Sequence, residues 1–313
     1  MPTTAAGTAY TVTTATMPSG GTGVLVVANA HANDANIPTM IYAHGSQGAY
    51  NQFLTTAAWT EFREWIIDNG GAFLEGTGGP TDAIGKSNWG APGARTFYTE
   101  LFAWGEGIID VGLLFVNGRS MGAIVATWLY LLSNIASRIT GLIVSSGVQT
   151  LAYGTAGGAA SQAPTVDYFG TTCRAAYGVA DSGNESADIA AAITASAPYD
   201  PMNFDPNLWT GKNVIQLVGD ADTTVPPAVR GAYPLRALYA GKPAIDRLDV
   251  RAGGDHFATN GTYHQVAPMT AFLSDLGFGT AVEEPEPYYY EITSTEYYAD
   301  GNLYQLEGFT PPA

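Results

Sequence analysis

The stretch from Leu113 to Leu132 leaves this chain few ways to fold. Leu113 to Val116 is an apolar run with the length and content of a buried strand. The chain then turns through Gly118-Arg119-Ser120-Met121-Gly122 and continues to Leu132 as an apolar segment with no Pro or further Gly. A strained strand-to-helix turn brings backbone segments close together, so a Cβ at Gly118 or Gly122 would collide. Such a turn lifts the Ser120 hydroxyl clear of a sheet and aims the first helical N–H groups at whatever that hydroxyl attacks. This is the sequence form of a nucleophile elbow.

The five-residue match alone is weak, because 38 of the 313 residues are glycine and chance matches follow from that. Its place between a strand and a helix strengthens it. The remainder of the chain has to supply a base and an acid.

Composition narrows the partners. Apolar residues make up 46% of the chain, enough for a sizeable core, and the length suits one large α/β domain or two small ones. Lys and Arg number 12 against 28 Asp and Glu, a formal net charge of −16. That balance disfavours nucleic acid and anionic membranes, both of which demand a basic face. The single cysteine, Cys173, precludes an intrachain disulfide. Its surroundings, Thr-Thr-Cys-Arg in a polar, Gly-rich region, carry no helix signal and argue against a catalytic thiol. The N-terminus lacks a basic region followed by an apolar core, so it does not read as a secretory signal. The longest near-continuous apolar stretch, Met121 to Leu132, is too short to span a bilayer, and a soluble protein is expected.

Along the chain, strands are predicted at 8–16, 23–29, 38–44, 72–75, 113–116, 139–145, 213–218 and 244–250. Helices are predicted at 56–68, 94–104, 121–132, 186–197, 226–239 and 263–276. Strands alternating with helical segments imply a mostly parallel sheet with helices on both faces. Residues 147–209, after the sixth strand, break that alternation and read as a cap or lid insertion. Gly79 to Gly85-Lys86-Ser87 resembles a phosphate-binding loop, but it has five residues between the glycines where four are needed, and Asn88 to Gly93 cannot continue as the required helix. Nucleotide binding is rejected and no cofactor is expected. After about residue 280 the character changes. Glu283-Glu-Pro-Glu-Pro287 reads as a linker, and 288–309 is Tyr-rich with an Asp300-Gly301 turn that suggests a β-hairpin. The acidic tail at 281–313 is either an edge strand of the domain or a docking element for a protein partner or another copy.

In an open α/β sheet the catalytic groups gather at the carboxyl ends of strands. Three loops there carry candidates: His44-Gly-Ser-Gln-Gly48, Gly219-Asp-Ala-Asp-Thr-Thr-Val-Pro226 and Gly253-Gly-Asp-His-Phe257. The order Ser120, Asp222, His256 places nucleophile before acid before base. Taken with Gly118-Arg-Ser-Met-Gly122, His44-Gly45, the Gly-x-x-Asp-x-x-Val-Pro pattern and Gly254-Asp-His256, the chain resembles the α/β-hydrolase superfamily, and from about 37 to 277 its esterase/lipase-type members. The resemblance implies Ser120 as nucleophile, His256 as general base and Asp222 as the acid that orients the imidazole. It further implies an oxyanion hole of the Ser46 and Met121 backbone N–H groups.

Those residue types suit the chemistry. A serine hydroxyl is a poor nucleophile until a neutral imidazole takes its proton, and the tetrahedral oxyanion needs preorganised donors. Asp220 rivals Asp222 for the acid, with a turn role as its alternative; the motif spacing favours Asp222. Asp220-x-Asp222 lacks the further ligand run of a metal site, so no metal is expected. His44 reads as a brace for its loop and His31 as a solvated turn residue; His264, opening the last helix, is read as making a local hydrogen bond. Gln47, Tyr50 and Trp89 are candidates for substrate contact, with Phe53 and Trp104 divided between pocket and core. The expected function is a serine esterase acting on a small-molecule or polysaccharide-linked ester. The alternative is a non-catalytic assembly or binding protein that uses its tail. Activity is expected to rise with pH as His256 deprotonates, with a midpoint pushed upward by the net negative charge.

Overall fold

Alternating side chains of the central strands enter two separate apolar cores, which is what a sheet covered on both faces requires. On β2 (Thr22–Ala28), Val24 and Val26 face one core while Leu25 and Val27 face the other. On β5 (Val111–Arg119), Phe115 joins the first core and Leu114 and Val116 the second. The computed structural model describes residues 1–46, 48–79, 88–151, 168–228, 231–256, 265–279, 296–299 and 302–305.

Within these residues one eight-stranded sheet is completed by β1 (Tyr10–Thr16), β3 (Ile37–Ala43), β4 (Ala72–Gly76), β6 (Ile139–Ser145), β7 (Asn213–Gly219) and β8 (Ile245–Arg251). The spatial order is β1-β2-β4-β3-β5-β6-β7-β8. β1, β2 and β4 pair antiparallel, and every pairing from β4 through β3 to β8 is parallel. All eight sequence-predicted strands are present.

The first core is covered by α2 (Thr60–Asp68), through Phe62 and Ile66, and by α8 (Val266–Asp275), through Met269 and Phe272. The second is covered by α3 (Pro92–Glu106), α4 (Gly122–Leu132) and α7 (Ala232–Leu238), through Phe97, Leu101, Leu129 and Leu235. From β3 the chain steps outward to β4, then returns across β3 to form β5 on its other side. The reversal puts the loops after β3 and β5 at a topological switch point, where open α/β sheets form their clefts.

Several boundaries differ from expectation for local reasons. The predicted 56–68 helix becomes a 3₁₀ turn at Ala57–Trp59 followed by α2, and an unpredicted short helix, α1 (Gln52–Thr55), precedes it, separated by the extended backbone of Thr56. The predicted helix at 94 starts at Pro92, since proline is suited to the first helical position. The 226–239 helix shortens to α7, which starts after Gly231, a residue with non-helical backbone and no side-chain cap.

Among the described residues between β6 and β7 lie α5 (Tyr168–Ala176), α6 (Glu185–Ser196) and three 3₁₀ turns. α5 corrects the reading of Cys173, which sits on a helix despite Gly170 and paired β-branched threonines. Packing supplies what propensity lacks, since Cys173, Ala176 and Tyr177 lie against a buried cluster that includes Trp89. Residues 1–279 form one compact unit and 280–313 another. In the second, β9 (Glu296–Ala299) and β10 (Asn302–Gln305) pair antiparallel as a two-stranded sheet of their own. The linker and most of the tail, like 80–87 of the rejected phosphate loop, lie outside the described residues.

Candidate active site

The elbow follows from close packing at the switch point. Ser120 has φ 50°, a left-handed conformation that a non-glycine residue holds only where its surroundings enforce it. Its N–H donates to Ser145 O and its carbonyl accepts from Val148 N, so the backbone is tied to the end of β6 on both sides. A Cβ on Gly118 would come within 2.6 Å of Ala123 Cα and Ala126 Cβ. One on Gly122 would overlap the Ala43 carbonyl at the end of β3. Both glycines therefore let α4 fold back against the strands, and the same approach brings β3 alongside Ser120. A Cβ on Gly45 would sit 3.4 Å from Ser120 Cβ.

Three side chains from three loops meet here. Ser120 Oγ lies 2.9 Å from His256 Nε2, and His256 Nδ1 lies 2.7 Å from Asp222 Oδ2. All three are buried. With its proton on Nδ1, the ring donates to Asp222 and leaves Nε2 to accept the serine O–H. The other oxygen of Asp222 accepts from the backbone N–H groups of Thr224 and Val225, at 2.9 and 2.8 Å, which fixes the carboxylate before the ring arrives. Asp220 is exposed and does different work: it accepts from Gly253 N at 2.7 Å, bracing the loop that carries His256. The two loops meet at their glycines, since a Cβ on Gly219 would overlap Gly254.

Burial sets the electrostatics. It pulls His256 below the ordinary imidazole value; Asp222 opposes that shift and the nearby Arg119 cation adds to it. The expectation of an upward displacement from the net charge is corrected by this: a local loss of hydration outweighs a diffuse, screened surface charge. Arg119 is itself buried, with Nη2 donating to His256 O at 2.6 Å and Nη1 3.5 Å from His256 Nε2. The sequence reading passed over this residue. The available signal was a charged side chain between an apolar strand and an apolar helix in a chain with only 12 Lys and Arg.

His44 is buried with Nδ1 2.7 Å from Gly45 O and Nε2 2.7 Å from Thr77 O, and burial lowers its pKa. A neutral ring carries one N–H and donates to one of the two carbonyls, so His44 braces the turn after β3. That turn closes through Gly48 N to Gly45 O at 3.0 Å. Ser46 is half-buried, one residue beyond Gly45. The Met121 amide makes no backbone hydrogen bond among the described residues.

Of the substrate candidates, Gln47 lies outside the described residues, as do Phe257 and His264. Tyr50 is exposed. Trp89 is buried at φ 47°, an outlier for so large a side chain, and packs in a cluster with Met121, Ile124, Val148, Leu151 and Val225. Its indole N–H donates to Thr172 Oγ1 at 2.9 Å, and its carbonyl accepts from Tyr177 O–H at 2.8 Å. Phe53 belongs wholly to the core, against Tyr42 and Phe73, and Trp104 packs partly buried on the other face. His31 bonds Asp34 at the surface.

Strand order, parallel pairing and a strand-turn-helix at the switch point define the α/β-hydrolase fold. Solved structures with that architecture match the chain. Among them is a prolyl endopeptidase, with a TM-score of 0.63 and 15% identity over 86% of this chain; the chain spans only 39% of that protein's length. An esterase from Pyrococcus furiosus matches with a TM-score of 0.56 and 14% identity, over 86% of this chain and 94% of the esterase. A 2,6-dihydroxy-pseudo-oxynicotine hydrolase matches with a TM-score of 0.60 and 14% identity, over 85% of this chain and 67% of its own. No protein-family model matches the chain, and no curated protein matches it in sequence. No helix among the described residues is long and apolar enough to cross a membrane.

Proposed function

We propose that the protein is a serine hydrolase that cleaves a carboxylic ester through an acyl-enzyme. The observation carrying this reading is the continuous hydrogen-bonded line from Ser120 Oγ through the His256 ring to Asp222. In that line Ser120 attacks the ester carbonyl while His256 Nε2 takes its proton. Asp222 holds the productive tautomer and stabilises the imidazolium as it forms. In this reading the oxyanion is received by the N–H groups of Met121 and Ser46. His256 then returns its proton to the leaving alcohol. Water, deprotonated by the same ring, releases the acid and frees Ser120.

The apolar cluster around Trp89 and Met121 adjoins the nucleophile and favours an uncharged acyl group on that side. The substrate is a small-molecule or polysaccharide-linked ester. The insertion after β6, reaching the site through Trp89, acts as the cap over it.

The test compares turnover of p-nitrophenyl acetate and butyrate with that of a chromogenic prolyl peptide. Ester turnover with an initial burst and no peptide cleavage supports the reading, while peptide cleavage alone would replace the ester by an amide. Absence of turnover on a broad acyl-ester panel would favour a binding protein that works through its tail.

A further inference from the structure

We propose that Arg119 is a positioning residue for the base: its guanidinium clamps the His256 carbonyl and lays a fixed positive charge beside His256 Nε2. The proposal rests on the hydrolase reading only for its consequence in turnover. The geometry stands by itself.

Arg119 immediately precedes Ser120, so its main chain is part of the elbow and its side chain touches the base. Nη2 donates to the His256 carbonyl at 2.6 Å, while Nη1 lies 3.5 Å from the ring nitrogen that faces Ser120. A Cβ on Gly45 would approach Nη1 to 2.8 Å, so the same guanidinium lies against the turn after β3. One planar group thus spans the nucleophile strand, the base and the Ser46-bearing turn. The loop carrying His256 is held on its other side by β7: Gly253 N donates to Asp220, and Ala221 N donates to Gly254 O at 3.0 Å. Arg119 adds a tie from β5 after the loop has turned. A planar fork suits this because two of its nitrogens address two atoms of one residue, which an ammonium point charge cannot match.

The charge matters as well as the clamp. Burial pulls Arg119 down to about 10, which leaves it cationic at neutral pH. Among the described residues, the charged groups facing the His256 ring are Arg119 from β5, Asp222 from the loop after β7 and Asp255 from its own loop. Asp222 holds the Nδ1 side and favours the imidazolium. Arg119 sits on the Nε2 side and disfavours it. The ring therefore stays neutral, ready to accept a proton, further into the acid range than Asp222 alone would permit. The imidazolium formed during attack also gives its proton up more readily to the leaving group.

Two variants separate charge from clamp. R119K keeps the charge and loses the fork; R119Q loses both, its amide nitrogen standing where Arg119 Nε stands, so the difference between the two variants reads the charge. The His256 ring is titrated by NMR in each variant and in the wild type, its signal assigned by its absence in H256N. The wild-type midpoint is expected below 6.5. In R119Q it should rise by about one unit, and in R119K by far less, as loss of a like charge requires. R119K should lower kcat with little change in KM at an unshifted midpoint. An R119Q ring titrating as in the wild type overturns the charge role, and wild-type kcat in R119K overturns the clamp. Should R119Q fail to fold, R119K still decides: a shifted midpoint or undiminished kcat counts against the proposal. The titration needs no substrate. A shifted ring in a chain that hydrolyses no ester would keep the Arg119 assignment and remove the hydrolase reading.

Discussion

The carboxyl ends of β5, β7 and β8 and the insertion between β6 and β7 are held by different physics. At the strand ends, position is imposed by backbone contact: Gly122 against Ala43, Gly219 against Gly254, and an Asp222 carboxylate fixed by two amides. In the insertion, position depends on side-chain pairs. Arg174 of α5 bonds Asp188 of α6 at 2.7 Å; Asp188 also accepts from Ser182 N, and Asn184 caps α6 through Ala187 N. Farther along, Arg95 donates to Gly90 O and lies 4.0 Å above the Tyr199 ring, pinning the end of the insertion to α3. Backbone contacts between central strands open only with the whole fold, whereas a few charged pairs can open locally. On the proposed reading, the Ser120, Asp222 and His256 side chains thus occupy the stiff part of the molecule, and the proposed cap is built on the part able to adjust.

That division can be broken at either side. Ser120→Ala should reduce ester turnover by about 10⁶-fold. Its melting temperature should stay close to wild type, because alanine accepts the same backbone and the hydroxyl bonds His256 rather than the core. Steady-state kinetics and calorimetry on the same preparation check both halves. Next in size, Asp222→Asn should lower kcat by about 10⁴-fold, since it supplies the wrong partner to the His256 Nδ1–H. Asp220→Asn should have a small effect, because its remaining carbonyl oxygen can still accept from Gly253 N. The reverse ranking would move the acid to Asp220. In the insertion, Asp188→Ala should change kcat/KM by less than about tenfold, mainly through KM, while speeding amide exchange in α5 and α6. A loss as large as that of Asp222→Asn would place the insertion in the stiff part.

The smallest effect sharpens the electrostatics. Only neutral His256 serves as base, and burial holds it below 6.5, so kcat/KM should rise with pH at a midpoint below that value. Because the ring is buried, the midpoint should barely move between low and moderate salt. A midpoint above 6.5 that falls as salt is added would return control to the surface charge.

Much of this was legible in sequence because the central strands are short apolar runs separated by helical periods, and those periods survive folding. The three candidate residues were legible through their order and their loops, although Ser120 and His256 lie 136 positions apart and Asp222 and His256 only 34. What escaped depends on spatial neighbours. α5 is a weak helix former whose order comes from packing near Trp89. Arg119 looks like a spacer within a motif until the fold brings His256 O to its fork. The pKa direction of His256 was misjudged for the same reason, since composition counts charges and says nothing of where water is excluded.

The most direct measurement is covalent. The full chain is treated with a fluorophosphonate and analysed by intact mass and peptide mapping, beside H256N and Ser120→Ala. One adduct per chain is expected, on Ser120, formed rapidly in the wild type, far more slowly in H256N and absent from Ser120→Ala. No adduct, or one placed on another residue and unaffected by H256N, would contradict the acyl-enzyme account.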